Sequence, residues 1–447
     1  MTATHTSVAE RFTGPGAWRE GLRYGLLGLP LAFVALPLYV LLPNHYARSF
    51  GVPLAALGMV LLGTRLFDAL LDPWIGRWCD RLFARSHRAV LGAAGAAAAV
   101  LALGLWGLLF PLPALRGDAT GLLVWAGALM ALTYAAYSVA SVAHQAWGAR
   151  LGGNEVQRSR VQAWREGLAL AGVLVAAVLP TLGGLAVTVG VFAALLAIGW
   201  LAWSSALAPP PGVPLPTTRT AASPWQEPRF VRLLAVFVVN GTASAIPATL
   251  VLFFVQDRLQ APAQIEPAFL ALYFLSAALS LPLWLRLVPR LGLARTWLAG
   301  MLLAVVSFVW TATLGGGDTV PFLVVCALSG TALGTDLALP GALLAGLMDE
   351  TGERGQREGA YLGWWNFAAK LNLALAAGLA LPLLGALGYA PGSRDPAALQ
   401  TLTLAYALLP CALKLLAAGL LYALLIRPAA APAPNHTHPT IPHKALP

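Results

Sequence analysis

Charge is scarce in this sequence. Asp, Glu, Lys and Arg make up 10% of the 447 residues, against about 25% in a typical soluble domain. Lysine occurs only at Lys370, Lys414 and Lys444. So few charges leave a folded chain without the polar surface that water demands. With 58% apolar residues and a mean hydropathy of +0.73, the solvent implied is hydrocarbon. Cysteine is nearly missing too: Cys79, Cys326 and Cys411 are scattered, which excludes a disulfide framework. The sequence has no nucleophile–base pair, metal-ligand cluster or phosphate-cradling glycine loop, so an enzyme is not expected. The first twenty residues are polar and do not run basic, then apolar, then small, so no cleaved leader is expected.

What the chain does have is long apolar runs. In a bilayer every backbone polar group must be satisfied internally, so only helices or a closed barrel can span. The runs are rich in Leu, Ala and Gly and lack the ten-residue alternation of barrel strands. At about 20 apolar residues per crossing, twelve helices read near 21–42, 53–78, 88–111, 119–148, 157–183, 186–207, 229–255, 264–288, 294–314, 319–348, 356–388 and 397–426. The fold class expected is therefore an all-α membrane protein with twelve transmembrane helices in two six-helix halves, 1–207 and 229–427. The Pro-, Thr- and Ala-rich 208–228 reads as a cytoplasmic linker. The Pro- and Ala-rich 428–447, with His436, His438 and His443, reads as a disordered cytoplasmic tail.

Arginine sets the orientation. Loops after even-numbered spans hold 16 Arg, and those after odd-numbered spans hold only Arg48, Arg116, Arg258 and Arg394. The even loops and both termini are expected on the cytoplasmic side. That bias also accounts for the net charge of +10 without a nucleic-acid partner. The halves echo each other faintly. Pro73, Arg77, Arg81 and Leu82 recur as Pro282, Arg286, Arg290 and Leu291, and Arg165-Glu166-Gly167 recurs as Arg357-Glu358-Gly359. The matches fall on equivalent spans, as a parallel duplication requires.

The informative residues are ionisable groups inside spans, each costing about 2.5–3.5 kcal/mol at a helix centre on insertion scales. Span two carries Arg65, Asp68 and Asp72, whose spacing of three and four places them on one face. Span eleven carries Lys370 at a compatible depth. One reading is a static ion-pair cluster that pins the two spans together. The other is a coupling site, where an aspartate takes a proton or sodium ion and Lys370 holds the place between visits. At the repeat offset Arg65, Asp68 and Asp72 become Phe274, Ala277 and Leu281, so the second half is expected to lack the group.

Span four adds Tyr134, Tyr137, Ser138, Ser141, His144, Gln145 and Trp147, and span eleven adds Trp364, Trp365, Asn366 and Asn372. Spans seven and ten contribute Asn240, Thr242, Ser244, Thr335 and Asp336. Such groups often serve only as hydrogen bonds between helices. Trp147 and Trp364 stand out, because a flat ring stacks on the apolar face of a sugar. Lys414 in span twelve reads as lying near a lipid face or a cleft. Between spans two and three, Gly76-Arg77-Trp78-Cys79-Asp80-Arg81 resembles the loop that latches the halves of major facilitator transporters. Asp349, Glu350, Glu353 and Glu358 are its candidate partners, against a plain reading of the arginines as orientation charge.

Taken together, these residues resemble the glycoside–pentoside–hexuronide:cation symporters, the melibiose-carrier family of the major facilitator superfamily. The strongest match is Arg65-Leu66-Phe67-Asp68-Ala69-Leu70-Leu71-Asp72-Pro73-Trp74-Ile75-Gly76. Tyr24-Gly25, Trp147, Arg165 and the run from Arg357-Glu358-Gly359 through Lys370 to Gly388-Tyr389 extend it over nearly the whole chain. The resemblance implies Trp147 and Arg165 as sugar contacts and Lys370 as part of the cation site. There are departures. Pro30 and Leu31 stand where the sugar carriers have a Lys-Asp pair, and Ala143 where they have an aspartate. Leu71 replaces an asparagine, which removes an oxygen that sodium, a hard cation, would use.

These readings give an expected secondary transporter of the bacterial inner membrane, a monomer in the lipid bilayer, with no cofactor beyond a co-transported proton or sodium ion. Asp68, Asp72, Arg65 and Lys370 would couple the cation, the proton being favoured. Trp147, Arg165, Tyr134, His144, Gln145, Trp364 and Asn366 would bind a small-molecule substrate, a sugar or glycoside by the resemblance. Gly76, Asp80, Arg81, Asp349, Arg357 and Glu358 would gate. The alternatives are a non-sugar solute or lysolipid, proton-driven efflux, or a membrane sensor that does not transport.

Overall fold

The computed structural model describes residues 8–52, 54–210, 223–262, 264–389 and 392–430. Most of the expected linker and tail, with His436, His438 and His443, lies outside them. Among the described residues there are helices and no strands. They assemble into twelve rods: α1 (17–50), α2 (Leu54–Arg85), α3 (His87–Leu109), α4 (Ala119–Arg150), α5 (Glu155–Pro180), α6 (Leu182–Ser204), α7 (Pro228–Arg258), α8 (Glu266–Leu291), α9 (Leu293–Thr313), α10 (Thr319–Glu350), α11 (Glu358–Ala386) and α12 (Pro396–Ile426). Nine of them are long and apolar enough to cross a bilayer by length and composition.

Local chemistry explains the boundaries. Ser86, Asp118 and Asp395 accept the orphan amides at the starts of α3, α4 and α12, and Asn154 and Gln157 form a capping box on α5. Pro228 and Pro396 stand in the first turn of α7 and α12, where the missing N–H costs nothing. The α5–α6 connection is a kink at Gly184, whose φ of 72° suits glycine. In α1, Pro30, Pro37 and Pro43 break the rod into short pieces.

Small residues set how close the rods approach, as expected where lipid offers no hydrophobic drive between helices. A Cβ on Gly28 would meet the Arg165 carbonyl at 2.6 Å, and one on Gly172 the Leu29 carbonyl at 2.0 Å, so α1 lies directly on α5. The halves touch in the same way. A Cβ on Gly76 would fall 2.0 Å from the Gly359 carbonyl, and one on Gly363 2.5 Å from that of Asp72. These glycines bring α2 and α11 together, antiparallel, at the end of the bundle that carries the Arg-rich loops, termed here the basic end.

Candidate functional site

The α2–α11 contact fixes the charged group. A helical side chain leans toward its own N-terminus. Because the two helices run oppositely, Asp68 and Lys370 lean toward each other's level. Lys370 Nζ lies 2.7 Å from Asp68 Oδ2 and 2.7 Å from Asp72 Oδ2. It also donates to Ser138 Oγ at 3.0 Å, and Ser138 donates to Asp68 Oδ1 at 2.9 Å. Asp68 is 3% exposed and Asp72 0%. Asp72 Oδ1 is buried without a hydrogen-bond partner. The sequence pointed to four charges buried together. Asp68, Asp72 and Lys370 meet, and Arg65 is exposed one turn away on α2. Ser138, one of several hydroxyls on span four, is the connecting atom that spacing alone could not single out.

Lys370 lines a cavity of about 260 Å³ with Leu38, Tyr134, Ser138, Ser141 and Asn366. A second, of about 230 Å³, adjoins it through Gln145, Asn366 and Ala369 and continues toward Arg158, Arg165 and Trp365. Together they occupy the space between the halves. Arg165 pairs with the neighbouring Glu166, and Arg158 with Asp349 at 3.3 Å, so both guanidinium charges are compensated. The remaining polar lining includes the neutral Gln145, Gln162, Asn366 and Ser141, and Asp336, whose charge is paired with Lys414.

Of the expected substrate contacts, Tyr134, Gln145, Arg165 and Asn366 line this space. Three do not. Trp147 is 2% exposed and lies among Phe83, His87 and Trp203 in the core of the first half, its Nε1 donating to the Leu207 carbonyl at 2.9 Å. His144 lies against the Tyr24 ring at 4.5 Å, with Nε2 2.7 Å from the Tyr24 carbonyl. Trp364 packs on Trp225, an exposed ring. Trp365, one residue on, is the tryptophan in the cavity wall, stacked on Phe237 at 3.8 Å. One residue is about 100° of helix, and it decides which ring reaches the cavity.

At the basic end, where the sequence suggested a latch, an ion-pair cluster joins the two halves through a different cation. Asp80 does not await an arginine of its own loop. It accepts the amides of Gly359 and Ala360 at 2.8 Å each, the favourable seat of a carboxylate at a helix N-terminus. Arg150, from the end of α4, reaches Asp80 at 3.1 Å and Glu358 at 2.9 Å, and all three are nearly fully buried. It also donates to the Gly355 carbonyl and lies over the Phe83 ring. Read from sequence, Arg150 was one orientation charge among sixteen. Arg81 is exposed, and Arg357 pairs within its own loop with Glu353 at 3.4 Å. Glu155 accepts the Leu293 amide at 3.2 Å at the start of α9, a second carboxylate-to-helix contact between the halves.

The second half lacks the α2-type group, with Phe274, Ala277 and Leu281 at the equivalent positions of α8, yet it holds an ion pair elsewhere. Lys414 Nζ lies 2.6 Å from Asp336 Oδ2. It is built from α10 and α12, so comparing α2 with α8 could not find it.

No curated protein matches the chain. Among solved structures, it is similar over 90% of its length to a bacterial homologue of the iron transporter ferroportin in outward-facing state (14% identity, 99% of that chain, TM-score 0.65). It is also similar to the fucose:proton symporter of E. coli (15% identity, 91% of this chain, 98% of that one, TM-score 0.62). At that identity the likeness is one of fold, and the fold is that of the major facilitator superfamily. A family model for the MFS/sugar transport proteins matches residues 23–427, nearly the whole described chain, and the protein belongs to that family.

Proposed function

We propose that the protein is a cation-coupled symporter, with the proton favoured over sodium, and that Asp68, Asp72 and Lys370 are its coupling site. One observation carries this reading. Two buried carboxylates share a single ammonium at the wall of the central cavity, and Asp72 Oδ1 has no hydrogen bond. An unsatisfied buried carboxylate oxygen is costly, and a proton or small cation arriving from the cavity would relieve that cost. The group spans α2 of the first half and α11 of the second, which meet directly beside the substrate space. Loading it therefore changes how strongly the halves are held together, which is what alternating access needs.

The two halves, 1–207 and 229–427, rock about the cavity, with both termini cytoplasmic. Asp80, Arg150, Glu358 and the Gly76–Gly359 contact close the cytoplasmic gate. Neutral hydrogen-bonding groups and the Trp365 ring suit an uncharged hydroxylated solute, which favours a sugar or glycoside over an anion. The melibiose-carrier resemblance in α2 and α11 supports the same assignment, although Trp147 and His144 lie outside the cavity.

The test is uptake into proteoliposomes of monosaccharides and glycosides, with an imposed proton or sodium gradient. Asp72→Asn should insert and equilibrate solute but not accumulate it. Uphill accumulation by that variant, or accumulation driven by neither gradient, would refute the assignment.

A further inference from the structure

A cavity of about 300 Å³ lies wholly within the second half, between α7, α8, α9, α10 and α12. Phe269, Tyr273, Phe308 and Tyr406 give it apolar walls, and Asp336 and Lys414 are the charged groups in its lining. Ala248 and Leu270, also in its lining, are exposed, so it opens between α7 and α8. It is distinct from the substrate space, although Asp336 lies in the wall of both.

The hydrogen bonds of the ion pair define what would fit. Asp336 Oδ1 accepts from Asn240 at 3.0 Å and Trp297 at 2.7 Å, and Oδ2 from Lys414 at 2.6 Å and Ser244 at 3.5 Å. Four donors fill the four sites of a carboxylate. Lys414 spends one N–H on Asp336 and one on Ser244 at 2.9 Å. An ammonium has three, so one remains. The pair carries no net charge, so a charged ligand would enter an apolar cavity with nothing to balance it, at the full desolvation cost. A neutral molecule with one acceptor would use the spare N–H and match the walls. At about 30 Å³ per water-sized group, the space holds about ten heavy atoms, a size at the lower end of small-ligand pockets.

We infer that this cavity is a second ligand site, for an uncharged, mostly apolar molecule of about ten heavy atoms whose single hydrogen-bond acceptor meets Lys414 Nζ. The inference does not depend on the coupling role of Asp68 and Asp72.

The chain's own cysteines allow a test that needs no transport assay. Cys326 and Cys411 line the cavity, whereas Cys79 is buried in the first half. The full chain in phosphatidylcholine nanodiscs is labelled with N-ethylmaleimide, and each cysteine is read by mass spectrometry. Decanol should protect Cys326 and Cys411 at about a tenfold lower concentration than decane, the factor given by one hydrogen bond to a charged donor. Decanoate and decyltrimethylammonium should not protect. In Ala304→Phe, which fills the cavity, decanol protection should vanish. In the double variant Asp336→Leu with Lys414→Met, which leaves no lone charge, decanol and decane should protect equally. Equal protection by decanol and decane in the native chain, protection by either ion, or no labelling of either cysteine without additive would each overturn the inference.

Discussion

The two ion-pair groups built on lysine differ in which helices they join and in how well their atoms are satisfied. Lys370 with Asp68 and Asp72 crosses from one half to the other, whereas Lys414 with Asp336 lies inside one half. The Asp336 carboxylate has four donors, while Asp72 keeps an oxygen with no hydrogen bond. Burying charge is tolerable when every lone pair has a partner and expensive when one does not. A carboxylate with every lone pair matched, inside one half, suits a fixed part of that half. An undersatisfied one at a moving interface suits a site that changes occupancy.

Five substitutions break or sharpen that contrast. The largest effect is expected from Asp72→Asn. Gradient-driven accumulation should be lost entirely, while thermal unfolding in detergent shifts by about 1 kcal/mol or less, because Lys370 keeps Asp68. Asp336→Asn should behave oppositely. It strands Lys414 without its carboxylate and should cost about 3–5 kcal/mol of stability, while the folded molecules still couple accumulation to the gradient. If both variants lose stability equally and transport equally, the contrast fails. Gly359→Ala comes next. Its methyl would lie 2.2 Å from the Gly76 carbonyl, so α2 and α11 must part, at about 1–3 kcal/mol. Uptake should fall with it and the Asp336–Lys414 pair should be untouched, as cross-linking across each helix pair would report. The smallest change is Trp147→Phe. It should lose one hydrogen bond, about 1 kcal/mol of stability, and leave the KM of uptake unaltered, whereas Trp365→Phe should raise it.

Gly359 and Arg150 show where sequence reading reached and where it stopped. Composition and run length placed ten of the rods within about four residues of their observed ends, because the bilayer admits little else, while α1 and α2 run eight and seven residues past the ends expected for them. The Asp68–Asp72 spacing with Lys370 marked the charged group, because unpaired charge in a span is so costly. Arg150, Ser138 and the choice between Trp364 and Trp365 were not legible. In a soluble helix the polar face names the outside. In a membrane helix lipid and protein interior are both apolar, so rotation about the axis leaves little trace in the sequence. Trp147 and His144 looked like binding residues for that reason and pack inside the first half.

The amino-acid sequence by itself determined that this is a bundle of membrane-spanning helices, which end carries the basic loops, and that charges are buried in α2 and α11. Lipid as solvent leaves few alternatives to each. Only the tertiary structure decided which charges meet, that Arg150 bridges Asp80 and Glu358, and that α10 and α12 hold a second pair. Those facts depend on the rotation and approach of helices, which glycine contacts and side-chain packing set after the chain has been inserted.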